Sequence, residues 1–360
     1  MPAPDDRAVS YSMKGIPPLT GAPRIAVIIV NYRTAELTLR CLAALAEERD
    51  ELPGLKAVIV DGGSGDGSAD KLREALALED YRNWVSLIPL QLNGGFGWAN
   101  NQAILTLARQ PNPPDFVHLL NPDTEVRPGA VARLAEELRA EPRCGAVGSQ
   151  LLTPEGAPAA SAFRFPSAGR EFIGAAQSEK LGRIFGIRST AVRSEESVEV
   201  DWVTGASVMF RADALKDSRL FDDGFFLYFE EVELMHRMRA RNWTVRHVPA
   251  SRVTHIEGAS TGVGATAAVR PLPGYWYRSR RRYFGLTGSR GALVASNIAW
   301  FAGNAIAQLR TLGGRTQMNN RVRIRDLLRS SRTPTHADQN SSAPSWGDPP
   351  GKLPAWMAEQ

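Results

Sequence analysis

Three carboxylates, Glu230, Glu231 and Glu233, fall within four residues of a 360-residue chain, directly after the aromatic run Phe225, Phe226, Tyr228 and Phe229. A carboxylate beside a wall of rings is poorly solvated, so its proton affinity rises, which suits a general base. Acids also gather at helix N-termini, where the positive end of the dipole favours them, so the cluster alone has two readings. Further polar groups stand apart in sequence: Asp61 ahead of GGSGDGS, Asn93 and Asn100 in NGGFGWANNQAI, Asp123 in Asn121-Pro122-Asp123, and the late His255. Only two cysteines occur, Cys41 and Cys144, without metal-ligand spacing. That opposes a disulfide scaffold or zinc site and fits a reducing cytoplasm.

The elements that must position these groups alternate. Arg24–Asn31 (RIAVIIVN) is a near-continuous β-branched run, as expected of a strand buried on both faces. Lys56–Asp61, Trp84–Leu92 and Phe116–Leu120 read as three more strands, separated by helical patterns at Thr34–Glu47, Ala69–Leu78 and Gly97–Arg109. This alternation predicts a parallel α/β sheet, and such sheets bind ligands at the carboxyl ends of their strands. Those ends carry Asn31-Tyr32-Arg33, Asp61 with its glycine-rich loop, the Asn93 loop and Asn121-Pro122-Asp123. No GxxxxGK[ST] occurs, and no glycine follows the first strand, which excludes a P-loop and opposes a dinucleotide-binding oxidoreductase. Farther on, a helix is expected at Pro128–Ala140, a strand at Cys144–Leu152, a return to order at Asp201–Phe210, a helix through Arg241 and a short strand at Trp243–Pro249. Residues 153–200 read as irregular and cover the substrate side.

Charge is uneven. Arg270 to Ser330 holds twelve arginines, no lysine and one acid, against a net charge of +5 for the whole chain. Such a basic segment points to an anionic partner, a membrane surface or nucleic acid. No charge occurs from Gly291 to Leu309, but Asn297, Asn304 and Gln308 dilute the stretch, so it reads as an interfacial helix rather than a crossing one. The N-terminus lacks a long apolar run, which opposes a secretory signal.

VIIVNYR, VDGGSGDGS, NGGFGWANNQAI, LLNPDTEV, WVTGASVMFR and FDDGFFLYFEEVEL, with His255 after them, occur in one order and spacing. Together they resemble the inverting family 2 glycosyltransferases of the GT-A fold, in the bacterial rhamnosyltransferase-like branch. The resemblance runs from about Arg24 to about Tyr283. It implies an α/β nucleotide-sugar-binding sandwich with a mostly parallel central sheet, followed by a C-terminal helical basic extension. By that resemblance Asp61 accepts the N3–H of a uracil or thymine base, and Asn31 and Tyr32 line the nucleoside. Asp123 and His255 hold a divalent metal, Mg²⁺ or Mn²⁺, with Asn121 standing where the motif has its first Asp. Glu231 is the base, with Glu230 before it, although the family pattern has Asp at that position. Gly205 and Ala206 form the small-residue turn near the donor sugar, and Trp202 is a candidate to stack on the acceptor.

The domain expectation is a leader at 1–23, a glycosyltransferase domain at 24–262 (nucleotide-binding half 24–127, acceptor half 128–262), a basic membrane-associating extension at 263–330 and a disordered tail at 331–360. The implied reaction moves a sugar, rhamnose from dTDP-rhamnose, to a polyprenyl-diphosphate-linked or glycan acceptor, from the cytoplasmic face of an anionic membrane. There Arg278, Arg280, Arg281 and Arg282, with Tyr275, Trp276, Tyr277 and Tyr283, would meet lipid headgroups. A UDP-sugar transferase and an inactive sugar-nucleotide binder are the alternatives; nucleic acid is not expected as the partner.

Overall fold

The computed structural model describes residues 21–256, 272–288, 290–312, 322, 324–330 and 336–359. Within it, strands β1 (Ile25–Asn31), β2 (Leu55–Asp61), β3 (Val85–Pro89) and β4 (Phe116–Leu120) are interleaved with the helices Ala35–Ala46, Ser68–Leu76 and Phe96–Ala108. Two apolar clusters explain why β1 is apolar at every turn of the pleat. Val27 and Ile29 join Leu42, Leu45 and Leu134 on one face, while Ala26 and Ile28 join Ile104, Leu234 and Met235 on the other.

Nine strands make the central sheet, in the order β3, β2, β1, β4, Ser207–Arg211, β6 (Cys144–Leu152), Thr244–His255 and β5 (Thr124–Val126), with Val198–Val200 beside Thr244–His255. The first four strands are mutually parallel. Ser207–Arg211 is antiparallel to both its neighbours, so β6 and Thr244–His255 run the same way as β1–β4. Most strands therefore deliver their carboxyl ends to one edge.

Several expectations change in detail. The ordered segment Asp201–Phe210 contributes to two sheets: Trp202–Val203 belongs to a small sheet with Ala162–Phe163 and Ala191–Val192, and Ser207–Arg211 to the central one. The chain turns between the two sheets at Thr204-Gly205-Ala206. Residues 153–200 are not wholly irregular, because they contain the helices Ala168–Ala176 and Glu179–Ile184. Their signal was present in Ser167 and Ser178, whose hydroxyls accept the N–H groups of Arg170 and Leu181 as N-caps. Trp243–Pro249 extends to His255, pairing with β6 through two register irregularities. The expected leader, apart from residues 21–23, and the boundary near residue 262 lie outside the described residues.

The arginines of the helix Gly274–Thr287 are corrected most. Arg282 and Asp222 are both sealed from solvent and joined by bonds of 2.7 and 2.9 Å. Arg280 is held by Glu171 at 3.1 Å and by Asn297 at 2.7 Å, and Arg281 by Asp338 at 2.9 Å. Three of the four arginines expected at headgroups are thus internal staples, and Tyr277 and Tyr283 are buried with them. The reason is that three separate segments each bring a carboxylate against this helix. The Ser/Pro-rich tail is likewise not loose over 336–359. Ser342 N–H donates to Asp222, Leu220 N–H to Pro344 O, Gly351 N–H to Gln102, and the Trp98 indole to Lys352 O. Composition read as disorder, but a few backbone anchors and Trp356 hold the segment on the body.

The helix Arg290–Leu312 has an inverted face pattern. Ser296, Asn297, Trp300 and Asn304 point inward, and Gly303 fits against the Phe172 carbonyl, where a Cβ would overlap it. Val294, Ile298 and Leu309 are exposed, with Ala302 and Ala305 between them.

Candidate active site

At the nucleotide end, β1 and β2 are in register, Asn31 opposite Asp61. The Asn31 amide donates to Asp61 Oδ1 at 2.6 Å, and its carbonyl accepts from Thr34 N–H, Thr34 Oγ1 and Thr38 Oγ1 at 3.0–3.2 Å. Asn31 is fully buried. It does not face a ligand as expected; it orients Asp61. Ser64, which sequence reasoning passed over, completes the cradle. Its hydroxyl donates to Asp61 Oδ1 at 2.6 Å, its N–H donates to Oδ2 at 3.1 Å, and its Oγ accepts Arg33 N–H at 2.9 Å. The spacing Asp-x-x-Ser was the available signal, since an aspartate readily accepts bonds from a turn just after it. Oδ2 keeps acceptor capacity for a base N–H. Tyr32 is half-buried at the mouth, with the Arg33 guanidinium 5.1 Å from its ring.

The loop after β3 is clamped rather than open. Gly95 adopts φ +95°, and a Cβ there would overlap the Phe226 carbonyl oxygen, which accepts Phe96 N–H at 3.1 Å. Asn93 Oδ1 accepts Gly95 N–H at 3.1 Å; the Asn100 amide donates to Phe96 O at 2.9 Å inside the helix, while its Oδ1 is buried without a partner among the described residues. The Trp356 indole donates to Gly94 O at 2.8 Å. Gly95→Ala is therefore expected to cost about 1–3 kcal/mol from the left-handed backbone alone, with further loss from the overlap. A urea unfolding series on both proteins checks it; an unchanged midpoint would contradict the clamp.

Asp123 follows β4, and His255 ends the long strand Thr244–His255; β5 brings them together through the pairing of Thr124 with His255. Asp123 Oδ1 and His255 Nε2 are 3.2 Å apart. No group of three or more His, Cys, Asp or Glu side chains suited to a metal exists among the described residues. One carboxylate oxygen and one imidazole nitrogen, side by side, fit a divalent cation whose remaining positions are filled by ligand phosphates and water. Asn121 is half-buried; its N–H donates to Ala206 O at 2.9 Å, tying this loop to the Gly205 turn.

The acidic helix Glu230–Ala240 begins after Tyr228 (φ 69°) and Phe229 (φ 70°), two bulky residues in the left-handed region. Such backbone persists only where its surroundings over-determine it, and it clusters at functional sites. Glu230 is buried, packed near Gly97 and Phe221, whereas Glu231 is half-buried. A side chain added at Gly205 would meet the Phe96 ring at 3.3 Å and Glu231 Oε1 at 3.9 Å, so the small turn, the ring and the carboxylate enclose one space. One oxygen of each glutamate is buried without a hydrogen-bond partner among the described residues. Burial pushes both carboxyls up; Glu230 rises farther because the Glu231 charge adds to its burial, while backbone N–H groups, that of Gly205 among them, restrain Glu231. Glu231 is thus the less strongly raised carboxyl of the two. Glu233 is committed to Arg237, at 2.6 and 2.8 Å. Trp202 stacks on Phe163 at 4.3 Å and donates to Arg164 O at 3.2 Å, a packing role in place of the expected acceptor platform.

An acid cradle, an Asp–His pair and a buried acid at a helix start, all on one edge of such a sheet, define a class: glycosyltransferases of the GT-A fold. Two solved structures share that fold. The mannosyltransferase PcManGT from Pyrobaculum calidifontis, in complex with GDP-Man and Mn²⁺, has a TM-score of 0.50 at 15% identity, covering 83% of this chain and 77% of that one. GalNAc-T7, with UDP, GalNAc and Mn²⁺, has a TM-score of 0.52 at 13% identity, covering 81% of this chain and 55% of that one.

The chain belongs to glycosyl transferase family 2, whose family model matches residues 26–197. The N-acetylglucosaminyl-diphospho-decaprenol L-rhamnosyltransferase of Mycobacterium tuberculosis, from two strains, is 31% identical over 252 residues, 66% of this chain and 78% of the relative. The protein is thus a glycosyltransferase.

Proposed function

We propose that this enzyme transfers L-rhamnose from dTDP-rhamnose, with inversion, to a sugar carried on a polyprenyl diphosphate, in cell-surface glycan synthesis. The observation that carries the chemistry is Glu231: a half-buried carboxyl beside the Gly205 turn, one of whose oxygens has no hydrogen-bond partner among the described residues. The mycobacterial relative supports the substrate class. Glu231 takes the proton of the acceptor hydroxyl as that oxygen attacks the anomeric carbon. Attack comes from the face opposite the nucleoside diphosphate, so the new C–O bond forms as the old one breaks and configuration inverts. Its electron pair leaves on the diphosphate. Asp61, held by Asn31 and Ser64, receives the thymine N3–H and positions the donor.

Asp123 and His255 would hold Mg²⁺ or Mn²⁺ with the donor diphosphate, and the ion would neutralise the charge of the leaving group. Chelation is expected to abolish transfer and weaken dTDP binding, and Asp123→Ala to remove the Mn²⁺ dependence of dTDP affinity. Calorimetry with Mn²⁺ and with EDTA checks this; equal dTDP affinity in both for the unaltered protein would reject the metal assignment. Assaying transfer across dTDP-, UDP- and GDP-sugars tests the donor, and turnover with a UDP-sugar alone would favour that alternative.

We place the enzyme peripherally at the cytoplasmic face of the membrane. The helix window Gly291–Arg310 is long and apolar enough to cross a bilayer, but 39% of it is buried against the body, Ser296, Asn297 and Asn304 are buried, and Gln308 is exposed. An exposed stripe of Val294, Ile298 and Leu309 suits insertion into an interface. Ile298→Glu with Leu309→Glu is expected to lower co-sedimentation with phosphatidylglycerol liposomes at least several-fold. Equal sedimentation of the two proteins would remove this helix from the reading.

A further inference from the structure

Two cavities on the acceptor side, of about 270 and 960 Å³, share Arg170, Gly174, Gln177 and Thr190 in their walls. They form one groove along the helix Ala168–Ala176. Its inner end touches Phe229, the residue directly before Glu230, and Trp300 of the apolar helix. Its outer end runs past Arg183 and Arg188. Beside that end, Ile184 and Phe185 are 65% and 60% exposed.

Arg170 is unlike the arginines of the Gly274–Thr287 helix. It makes no ion pair among the described residues; one terminal nitrogen donates to Phe165 O at 2.8 Å, and its Nε is buried with no partner. Of the acids in the lining, Glu171 is already engaged by Arg280, and Glu179 lies exposed at the outer end. Asp201 acts on this guanidinium from beside the groove but is itself paired with Arg239, so the inner groove offers a guanidinium with no ion-pair partner among the described residues. It also lies close to the acidic helix, since the Phe165 ring rests 4.9 Å from that of His236.

We propose that Arg170 binds the diphosphate of the lipid-linked acceptor in this groove, with the polyprenyl chain leaving past Ile184 and Phe185. This inference rests on the acceptor class proposed above. A guanidinium recognises phosphate oxygens through its fixed fork of donors, and a partly desolvated one gains most from doing so. In a sugar-diphospholipid a single ring separates the diphosphate from the hydroxyl to be glycosylated. A diphosphate site must therefore lie just outside the base, which is where the groove begins. Trp300 at the inner end belongs to the helix whose outer face carries the apolar stripe, so the groove connects the catalytic helix with the element proposed to rest on the lipid.

The test uses the full-length protein, Arg170→Gln and Gly174→Leu. The second variant leaves Arg170 intact and fills the groove: a Cβ at Gly174 meets nothing within 4 Å, and the position lies within a helix. Calorimetry measures farnesyl diphosphate and dTDP separately, and kinetics measure rhamnosyl transfer to an N-acetylglucosaminyl-diphospho-farnesyl acceptor. Both variants are expected to weaken farnesyl diphosphate and raise acceptor KM at least ten-fold, with dTDP affinity retained. No binding of farnesyl diphosphate by the unaltered protein, equal binding by all three proteins, or a matching loss of dTDP affinity in Arg170→Gln would overturn the site. Binding that depends on Arg170 without any transfer would overturn the rhamnosyl reading and leave the site standing. Transfer with acceptor KM unchanged in both variants would do the reverse.

Discussion

Glu231→Gln is expected to lower kcat by about 10²–10⁴-fold, the usual contribution of a positioned base, while dTDP binding persists. Glutamine keeps the shape of the side chain beside Gly205 and Phe96 but cannot take the acceptor proton. Glu230→Gln is expected to do far less, because that side chain is buried away from the Gly205 turn and its carboxyl is the more strongly raised of the two. Burial raises Glu231, so the acid limb of kcat/KM is expected above the ordinary glutamate value of about 4.3. The same shift predicts a stability effect of definite sign. A carboxyl raised in the folded state contributes stability below the ordinary glutamate pKa, and this is lost as pH rises through the raised value. Glu231→Gln should therefore unfold at a higher temperature than the unaltered protein at neutral pH, with the gap closing in acid. Full activity in Glu231→Gln would move the base elsewhere. Lost activity together with a lowered Tm at pH 7 would indicate a folding defect instead.

Asp222→Ala is expected to cost about 3–5 kcal/mol, because it takes the bonded carboxylate from the buried Arg282, whose charge the Asn340 carbonyl at 3.0 Å and the nearby Glu233 and Asp223 offset only in part. Asp222 accepts two bonds from Arg282, one from Gly224 N–H at 2.8 Å and one from Ser342 N–H at 2.8 Å. One carboxylate thus joins the loop before the acidic helix, the Gly274–Thr287 helix and the tail. Its loss should also free the tail, so that trypsin cuts faster after Lys352, which is exposed but held on the body in the folded chain. Replacing both partners together with apolar residues, Asp222→Leu with Arg282→Met, should recover much of the stability, since the larger cost is the lone charge rather than the missing pair. Urea unfolding of the three proteins measures this. A change below about 1 kcal/mol in Asp222→Ala is what an exposed pair would give and would contradict the sealed geometry.

The amino-acid sequence alone determined the alternating strands and helices, the edge at which polar loops gather, and the acids Asp61, Asp123 and Glu231. Those features are local: β-branched runs covered on both faces announce themselves, and each motif sits within a few residues of a strand end. The sequence could not say which amides were free. Asn31 and Asn93 follow strand ends and each is bonded to a neighbour, whereas Asn100 sits inside a helix with its Oδ1 buried and unpartnered among the described residues, a matter decided by distances across the sheet and within turns. The split of 201–210 between two sheets was equally hidden, because strand propensity does not identify a pairing partner. Arg280, Arg281 and Arg282 were misassigned because composition records charge but not its compensation: Glu171, Asp338 and Asp222, distant in sequence, reach them only in the folded chain. Arg170 shows the converse. Nothing near it in sequence marks it, and only the tertiary structure, by leaving it without a carboxylate inside a groove, separates it from the arginines that were drawn into pairs.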